Sequence, residues 1–112
     1  MFRAAAALGF LGVVLGAFGA HALKPTLAAF GTADIWQTAV FYQLVHAVAL
    51  LALTAMDRAS RLVAILWVGG IVIFSGTLYI LAMSEQKWLG AITPIGGLML
   101  LAGWLLLALR GR

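Results

Sequence analysis

The stretch LVAILWVGGIVIFSGTLYILAM, residues 62–83, decides the fold class of this chain. It contains no charged side chain, and as an α-helix rising ~1.5 Å per residue it would be ~33 Å long. This length matches the hydrocarbon core of a bilayer, which is about 30 Å thick. Lipid offers no hydrogen-bond partners, so every backbone N–H and C=O must pair within the protein, which a helix achieves locally. Apolar and polar residues do not alternate here as a membrane strand requires. The stretch therefore predicts a transmembrane helix.

Three further apolar runs, residues 4–23, 36–56 and 89–109, have similar lengths and are separated by short segments that carry the charges. Four helices joined by short connections favour an up-down-up-down arrangement. The sequence therefore predicts an all-α fold, an integral membrane four-helix bundle in which residues 1–112 form a single transmembrane domain.

Two of the runs contain features that modify this simple pattern. The first resembles a secretory signal, because Arg3 precedes it and Ala20-His21-Ala22 imitates a cleavage site. Its length favours a retained span instead. The last run contains Pro94, which is expected to kink the fourth helix or to lie in its first turns.

The composition excludes the common soluble classes of protein. Of the 112 residues, 65% are hydrophobic and 9% are charged, and the mean hydropathy is +1.14. A soluble domain is about half apolar and about a quarter charged, and a small one cannot bury more. A soluble enzyme, a disordered tail and a nucleic-acid-binding module are therefore excluded as first interpretations. The chain has no cysteine, which excludes disulfides and thiolate chemistry.

The net charge of +4 is explained by membrane orientation, because the basic residues lie between the apolar runs. The side of a membrane protein that carries more Lys and Arg stays in the cytoplasm. In this chain that side holds both termini, so both termini are predicted to be cytoplasmic. Tryptophans at the two membrane boundaries agree, with Trp36 and Trp88 outside and Trp67 and Trp104 nearer the inside. The richer side carries Arg3, Arg58, Arg61, Arg110 and Arg112, and the poorer side carries Lys24 and Lys87.

The first connection is the longest and is predicted to contain a short interfacial segment. Pro25 ends the first helix, because proline has no N–H and clashes with the preceding turn. The apolar residues within 27–30 form a short turn on the membrane surface. Asp34 followed by Gln37 resembles a capping box that starts the second helix, and Thr32 is a competing cap.

Glycines mark expected helix contacts at Gly9, Gly12, Gly16 and Gly19 in the first helix and at Gly97 in the fourth. Each helical residue advances ~100°, so the four glycines of the first helix fall within about 80° of arc. Small residues let two helix backbones approach closely in lipid. This contact lies either inside the bundle or between subunits.

Polar side chains also occur within the predicted spans. Gln43 and His46 share one face of the second helix, and Ser75 and Tyr79 share one face of the third. Under the predicted orientation most of them lie in the outer half of the bilayer. The candidate polar cluster comprises His21, Lys24, Tyr42, Gln43, His46, Ser75, Tyr79 and Thr93.

Two interpretations of this cluster stay open. In the structural interpretation, a neutral His46 donates a hydrogen bond to Ser75 or Tyr79 and accepts another. In the functional interpretation, the cluster holds a ligand or a proton, because ionisable groups are costly to bury in a membrane. Catalytic residues are not indicated, because Asp57 is predicted on the membrane face opposite the cluster. No metal or other cofactor is indicated, because two histidines are too few ligands.

Four stretches carry a resemblance to a known family: GAFGAHALK (residues 16–24), YQLVH (42–46), FSGTLY (74–79) and WLGAITPIGG (88–97). Together they resemble the domain-of-unknown-function 423 family, which is similar to transmembrane protein 256 of eukaryotes. The resemblance covers nearly the whole chain. It implies a four-helix, multi-pass protein of the inner membrane and implies no activity. It marks as motif positions His21, Lys24, Tyr42, Gln43, His46, Ser75, Tyr79, Thr93 and Pro94.

Two functions are expected to compete. The first is a non-enzymatic structural or accessory subunit of a homo-oligomer or larger membrane assembly, since small-residue faces are abundant and soluble parts are nearly absent. The second is a protein that binds or conducts a small solute, a lipid or a proton through the polar cluster. Membrane lipids are expected partners in both cases, and nucleic acid in neither.

Overall fold

The computed structural model describes residues 2–56 and 61–110 of the chain. Every regular element within them is helical. In chain order these are α1 (Phe2–Ala20), α2 (Lys24–Phe30), α3 (Ala33–Ala55), α4 (Arg61–Ser84), a 3₁₀ helix (Lys87–Ala91) and α5 (Thr93–Arg110).

Four segments of the described chain are long and apolar enough to cross a membrane, namely Phe2–Ala20, Ala33–Ala55, Arg61–Ser84 and Lys87–Arg110. The predicted all-α membrane four-helix bundle is confirmed, and the described residues contain no strand. The cytoplasmic placement of both termini stays a prediction. Two residues that support it, Arg58 and Arg112, lie outside the described part of the chain.

The long helices pack in the order of the chain. Helix α1 packs against α3, α3 against α4, and α4 against α5. In the described residues, α1 and α5 share no comparable interface, so the four helices do not close into a ring. The bundle is accordingly flattened, with principal extents of 46 × 26 × 16 Å.

Two apolar cores lie at different levels of the bundle. One surrounds Leu50, Val63, Trp67 and Leu100, near the end that holds the first residues of α1 and the last residues of α5. The other joins Leu27, Trp36 and Ala82 beneath α2. We call the level of α2 and the 3₁₀ helix the α2 end of the bundle.

The connection between α1 and α3 differs from its predicted form. Helix α1 already ends at Ala20, so Pro25 does not stop it. Pro25 instead lies in the first turn of α2, where a missing N–H costs nothing because no carbonyl is available to pair with it. Leu27 is buried against the bundle, whereas Ala28 and Phe30 of the same short helix are exposed. Gly31 ends α2 in the left-handed conformation (φ 69°), which glycine adopts without strain.

The start of α3 also differs from prediction, because no side chain caps it. Thr32 occupies the N-cap position, but its hydroxyl donates to the carbonyl of Ala82 in α4 at 2.8 Å. Asp34 lies in the first turn, where its carboxylate is stabilised by the helix dipole. The predicted capping box is therefore replaced by a bond between two helices.

Pro94 is the second residue of α5, so it lies in the first turn and does not kink the helix. The closest backbone approach occurs just beyond it, where Gly96 of α5 meets α4. A Cβ atom built on Gly96 would overlap the backbone nitrogen of Phe74 and lie 2.9 Å from the carbonyl oxygen of Gly70. Only glycine allows this crossing of α4 and α5.

We expect Gly96→Ala to lower the free energy of unfolding by about 1–3 kcal/mol, because the added methyl group meets backbone that cannot move aside. The matched control is Gly76→Ala in α4, where nothing lies within 4 Å of the added Cβ. This control should be neutral, or should gain up to ~1 kcal/mol of helix propensity. Circular dichroism during unfolding in a mixed-detergent titration measures both, and equal stabilities for the two variants would contradict the packing described.

Candidate functional site

His46 lies at the centre of α3 and is 4% exposed. Its Nδ1 is 2.8 Å from the carbonyl oxygen of Tyr42, and its Nε2 is 2.9 Å from the indole Nε1 of Trp104 in α5. A carbonyl only accepts and an indole N–H only donates, so Nδ1 carries the proton and Nε2 accepts. This geometry requires a neutral imidazole, and both of its ring nitrogens are already paired.

The partners of His46 differ from those expected from the sequence. Ser75 and Tyr79 bond elsewhere, and Trp104 was not predicted to contact the histidine because it was assigned to an interfacial belt. Trp67 packs edge-on against His46, with ring centroids 5.5 Å apart, and is fully buried. Trp36 is buried too, so of the four tryptophans only Trp88 and Trp104 are exposed.

Gln43 connects three helices. Its Nε2 donates to the carbonyl oxygen of Leu8 in α1 at 2.8 Å, and its Oε1 accepts a bond from the Tyr79 hydroxyl of α4 at 2.6 Å. Gln43 is buried, and both ends of its amide are satisfied by groups within the chain. A buried amide that is paired in this way holds α1, α3 and α4 in register.

The same type of bond recurs at each interface between sequential long helices: a side-chain donor reaches a backbone carbonyl of the neighbouring helix. Carbonyl oxygens have two lone pairs, so each accepts this bond without losing its own helical one. The bonds are Trp36 to Leu15 at 2.9 Å, Ser75 to Ala39 at 2.7 Å and Trp67 to Leu100 at 3.1 Å, together with those of Thr32 and Gln43.

Glycines make two of these carbonyls accessible. Gly19 lies one turn after Leu15, and Gly103 lies three residues after Leu100. A Cβ atom on Gly19 would overlap the indole of Trp36, and one on Gly103 would overlap the indole of Trp67. The absent side chains therefore leave the space through which each indole N–H reaches its carbonyl.

The other glycines singled out in the sequence have mixed surroundings. Gly12 faces Leu44 of α3 too closely for a Cβ atom, and a Cβ atom on Gly16 would make a tight contact with Val40 at 3.3 Å. Gly97 would make an ordinary contact with Phe74 at 3.6 Å. Gly9 has nothing within 4 Å. Along α1, three glycines therefore face α3 inside the bundle.

The structure divides the eight residues of the predicted polar cluster. His21 and Lys24 are exposed in the turn after α1 and at the start of α2, apart from the others. Thr93 lies between α4 and α5, where its hydroxyl is 2.7 Å from that of Thr77 and donates to the carbonyl of Leu89 at 3.1 Å. Gln43 and Tyr79 bond directly to each other.

A groove of about 580 Å³ lies between α3 and α5, over α4. Its volume falls in the range of small-molecule sites, about 300–1,000 Å³. Most of its wall is apolar. The Tyr42 hydroxyl has no hydrogen-bond partner among the described residues, and this side chain is 39% exposed. We call this the α3–α5 groove; its lining residues are Tyr42, His46, Phe74, Pro94, Gly97, Leu98, Leu100, Leu101 and Trp104.

The described residues leave few groups free for chemistry. Across 2–56 and 61–110, no buried side-chain nitrogen or oxygen lacks a hydrogen-bond partner. In the same residues, no three side chains of the metal-ligating types His, Cys, Asp and Glu come together. What the arrangement offers is a set of paired polar groups inside the bundle and an apolar groove on its surface.

Comparison with known proteins identifies the family. The family described as "Protein of unknown function (DUF423)" matches residues 15–97. The chain belongs to this family. It is 42% identical to a UPF0382 membrane protein of Staphylococcus saprophyticus over 88% of this chain and 85% of the relative. It is 41% identical to the UPF0382 inner membrane protein YgdD of Escherichia coli K12, over 92% and 82% respectively. No solved structure matches the chain.

Family and helices agree on the class of protein. The family's description names no activity, and these two relatives are named only as membrane proteins. With four helices able to span a bilayer, this chain is a small multi-pass protein of the inner membrane.

The pairing of Tyr79 gives a direct test. We expect Tyr79→Phe to lower the free energy of unfolding by about 1 kcal/mol, because Gln43 Oε1 loses its donor inside the membrane. Tyr42→Phe is the matched control, since its hydroxyl has no partner among the described residues and should cost nothing in the purified monomer. Unfolding in a mixed-detergent titration compares them, and a larger cost for Tyr42→Phe would contradict the network.

Proposed function

We propose that this protein is a non-enzymatic structural or accessory subunit of a membrane assembly, either a homo-oligomer or a larger complex. The observation that carries the proposal is the α3–α5 groove. In this groove polar and aromatic groups at membrane depth remain open to a further molecule, whereas the buried polar groups of the described chain are paired internally.

The internal pairing of the buried polar groups in residues 2–56 and 61–110 supports a non-enzymatic role. An enzyme needs a nucleophile, acid or base whose reactive atom is free to meet a substrate. His46 uses both ring nitrogens, and the polar atoms of Gln43 and Tyr79 are used in bonds that join helices. These residues are positioned for stability.

The open arrangement of the helices supports the proposal that another transmembrane helix packs against this chain. Helices associate in lipid through close packing and polar pairs, because burial from water no longer drives them together. The α3–α5 groove offers both, since Leu98 and Leu101 border it and the Tyr42 hydroxyl lies unpaired beside them. A neighbouring transmembrane helix with a polar acceptor would fill the groove and pair this hydroxyl.

A crosslinking experiment tests the proposal, and the cysteine-free sequence confines the label on this chain to the introduced residue. Leu101→Cys places a probe in the groove, and Val72→Cys places one on α4 outside it. The two native side chains are 65% and 61% exposed, and each lies near the middle of its helix. Both variants are labelled with benzophenone maleimide in native membranes and irradiated.

We expect the Leu101→Cys probe to give a protein-sized mass increment, whereas the Val72→Cys probe gives lipid adducts. A second copy of this chain or another protein as the product distinguishes the homo-oligomer from the larger complex. Lipid adducts alone from both probes, with a monomeric particle in native nanodiscs, would overturn the assembly proposal.

A second candidate function is the binding of a lipid or small solute, or the conduction of a proton. The volume and apolar lining of the α3–α5 groove favour a lipid chain over a polar solute. Conduction is less well supported, because the polar side-chain atoms of Gln43, Ser75 and Tyr79 are already engaged in hydrogen bonds within the chain.

Flux into liposomes separates this candidate from the first. We expect wild-type protein to give no proton or solute flux above that of empty liposomes, and Gln43→Leu to lower thermal stability without changing flux. A wild-type flux that His46→Leu abolishes at unchanged stability would replace the subunit proposal with the conducting one.

A further inference from the structure

A second cavity lies at the α2 end of the bundle, where the end of α2 and the start of α3 face the end of α4. Its volume is about 380 Å³. Phe30, Ile35 and Leu81 supply apolar walls, Thr32 lies among them, and Glu85 and Lys87 bring one negative and one positive charge. Such a cavity suits a ligand that has an apolar part and a head carrying both a positive and a negative charge.

The two charges are close in the chain but do not neutralise each other. Glu85 and Lys87 are two residues apart, so their Cα atoms are at most about 7 Å apart. Both are exposed, and neither forms an ion pair among the described residues. Gln86 between them is engaged separately, since its Oε1 accepts a bond from the Trp88 indole at 3.1 Å. The carboxylate and the ammonium group are therefore both available.

The backbone at Glu85 is unusual. Its φ of 58° lies in the left-handed region, and its N–H donates to the carbonyl of Leu81 at 2.8 Å where α4 ends. Helices commonly end on glycine at such a position, because other residues adopt it with strain. An acidic residue here keeps a carboxylate at the cavity in place of the less strained glycine.

The cavity lies at the level of lipid headgroups. Ile35 and Leu81 lie within membrane-spanning helices, whereas Glu85 follows the end of α4 and Lys87 is the first residue of the fourth span. Trp88 is exposed at the same level, which is typical of the membrane interface. A ligand in the cavity therefore reaches from headgroup depth into the hydrocarbon.

We infer that this cavity binds the headgroup of a zwitterionic phospholipid that carries a primary ammonium group, of the phosphatidylethanolamine type. The phosphate pairs with Lys87, the ammonium group donates to Glu85, and the start of the acyl chains lies against Phe30, Ile35 and Leu81. The site is separate from the α3–α5 groove, so it does not depend on the proposed assembly. An anionic lipid without an ammonium group leaves Glu85 unpaired, and a choline headgroup has no N–H to donate.

Lipid retention tests the inference. Purified protein is placed in nanodiscs of equal parts phosphatidylethanolamine, phosphatidylcholine and phosphatidylglycerol, and the lipids that stay bound after release are identified by native mass spectrometry. We expect about three- to fivefold enrichment of phosphatidylethanolamine over phosphatidylglycerol, which is the upper part of the range for an exposed ion pair. Glu85→Gln should abolish this preference, and Lys87→Gln should reduce retention of all three lipids.

Lys24→Gln is the matched control, because Lys24 is an exposed lysine of the same end that does not line the cavity. Its lipid retention should equal that of the wild type. All three substituted side chains are exposed, and an unchanged helical circular dichroism signal checks that each variant folds. A wild type without lipid preference, a preference that survives Glu85→Gln, or equal effects of Lys24→Gln and Lys87→Gln would overturn the inference.

A soluble competitor identifies the source of the headgroup. Glycerophosphoethanolamine carries the same charges without acyl chains, so it should not displace bound phosphatidylethanolamine if Phe30, Ile35 and Leu81 hold the chains. Displacement would overturn the assignment of a membrane lipid in favour of a soluble phosphoethanolamine compound.

Discussion

The bundle depends on one interaction, the hydrogen bond from a side-chain donor of one helix to a backbone carbonyl of a neighbouring helix. Burial from water does not drive helices together in lipid, so polar pairs and close packing decide which faces meet. Gln43 and Trp36 bind α3 to α1, Ser75 binds α4 to α3, and Trp67 binds α4 to α5. Each sequential interface thus has its own directional contact, and this sets the order in which the helices pack.

Glycine positions follow from the same constraint. A carbonyl inside a helix is shielded by the side chains of the following turn, so a neighbouring donor reaches it only where that turn is small. Gly19 and Gly103 provide this space for the indoles of Trp36 and Trp67. Gly70 and Gly96 act differently, since they let the backbones of α4 and α5 touch directly. The glycines are therefore matched to particular partners, and Gly9, which faces open space, has no such role within the chain.

The sequence predicted the number of spans well, because each must cover the thickness of the bilayer and charges interrupt the apolar runs. It did not predict which faces meet, since apolar residues surround every helix and their periodicity does not mark the buried side. His21 and Lys24 were grouped with the intramembrane residues because the first run was counted to Leu23, whereas α1 ends at Ala20. The bond from Trp104 to His46 was missed because tryptophan near a helix end is typical of an interfacial belt.

Polar groups that are paired inside the bundle stabilise the fold, whereas unpaired polar groups on its open surfaces are available to other molecules. Where two helices are packed, donors and acceptors are matched within the chain, as Tyr79 and Gln43 are. Where the packing is open, along the α3–α5 groove and at the cavity beside Glu85, polar groups face outward without a partner among the described residues. An unmatched hydroxyl at membrane depth, such as that of Tyr42, costs free energy unless another molecule pairs with it. The open surfaces along the α3–α5 groove and beside Glu85 are therefore where we propose that other molecules bind.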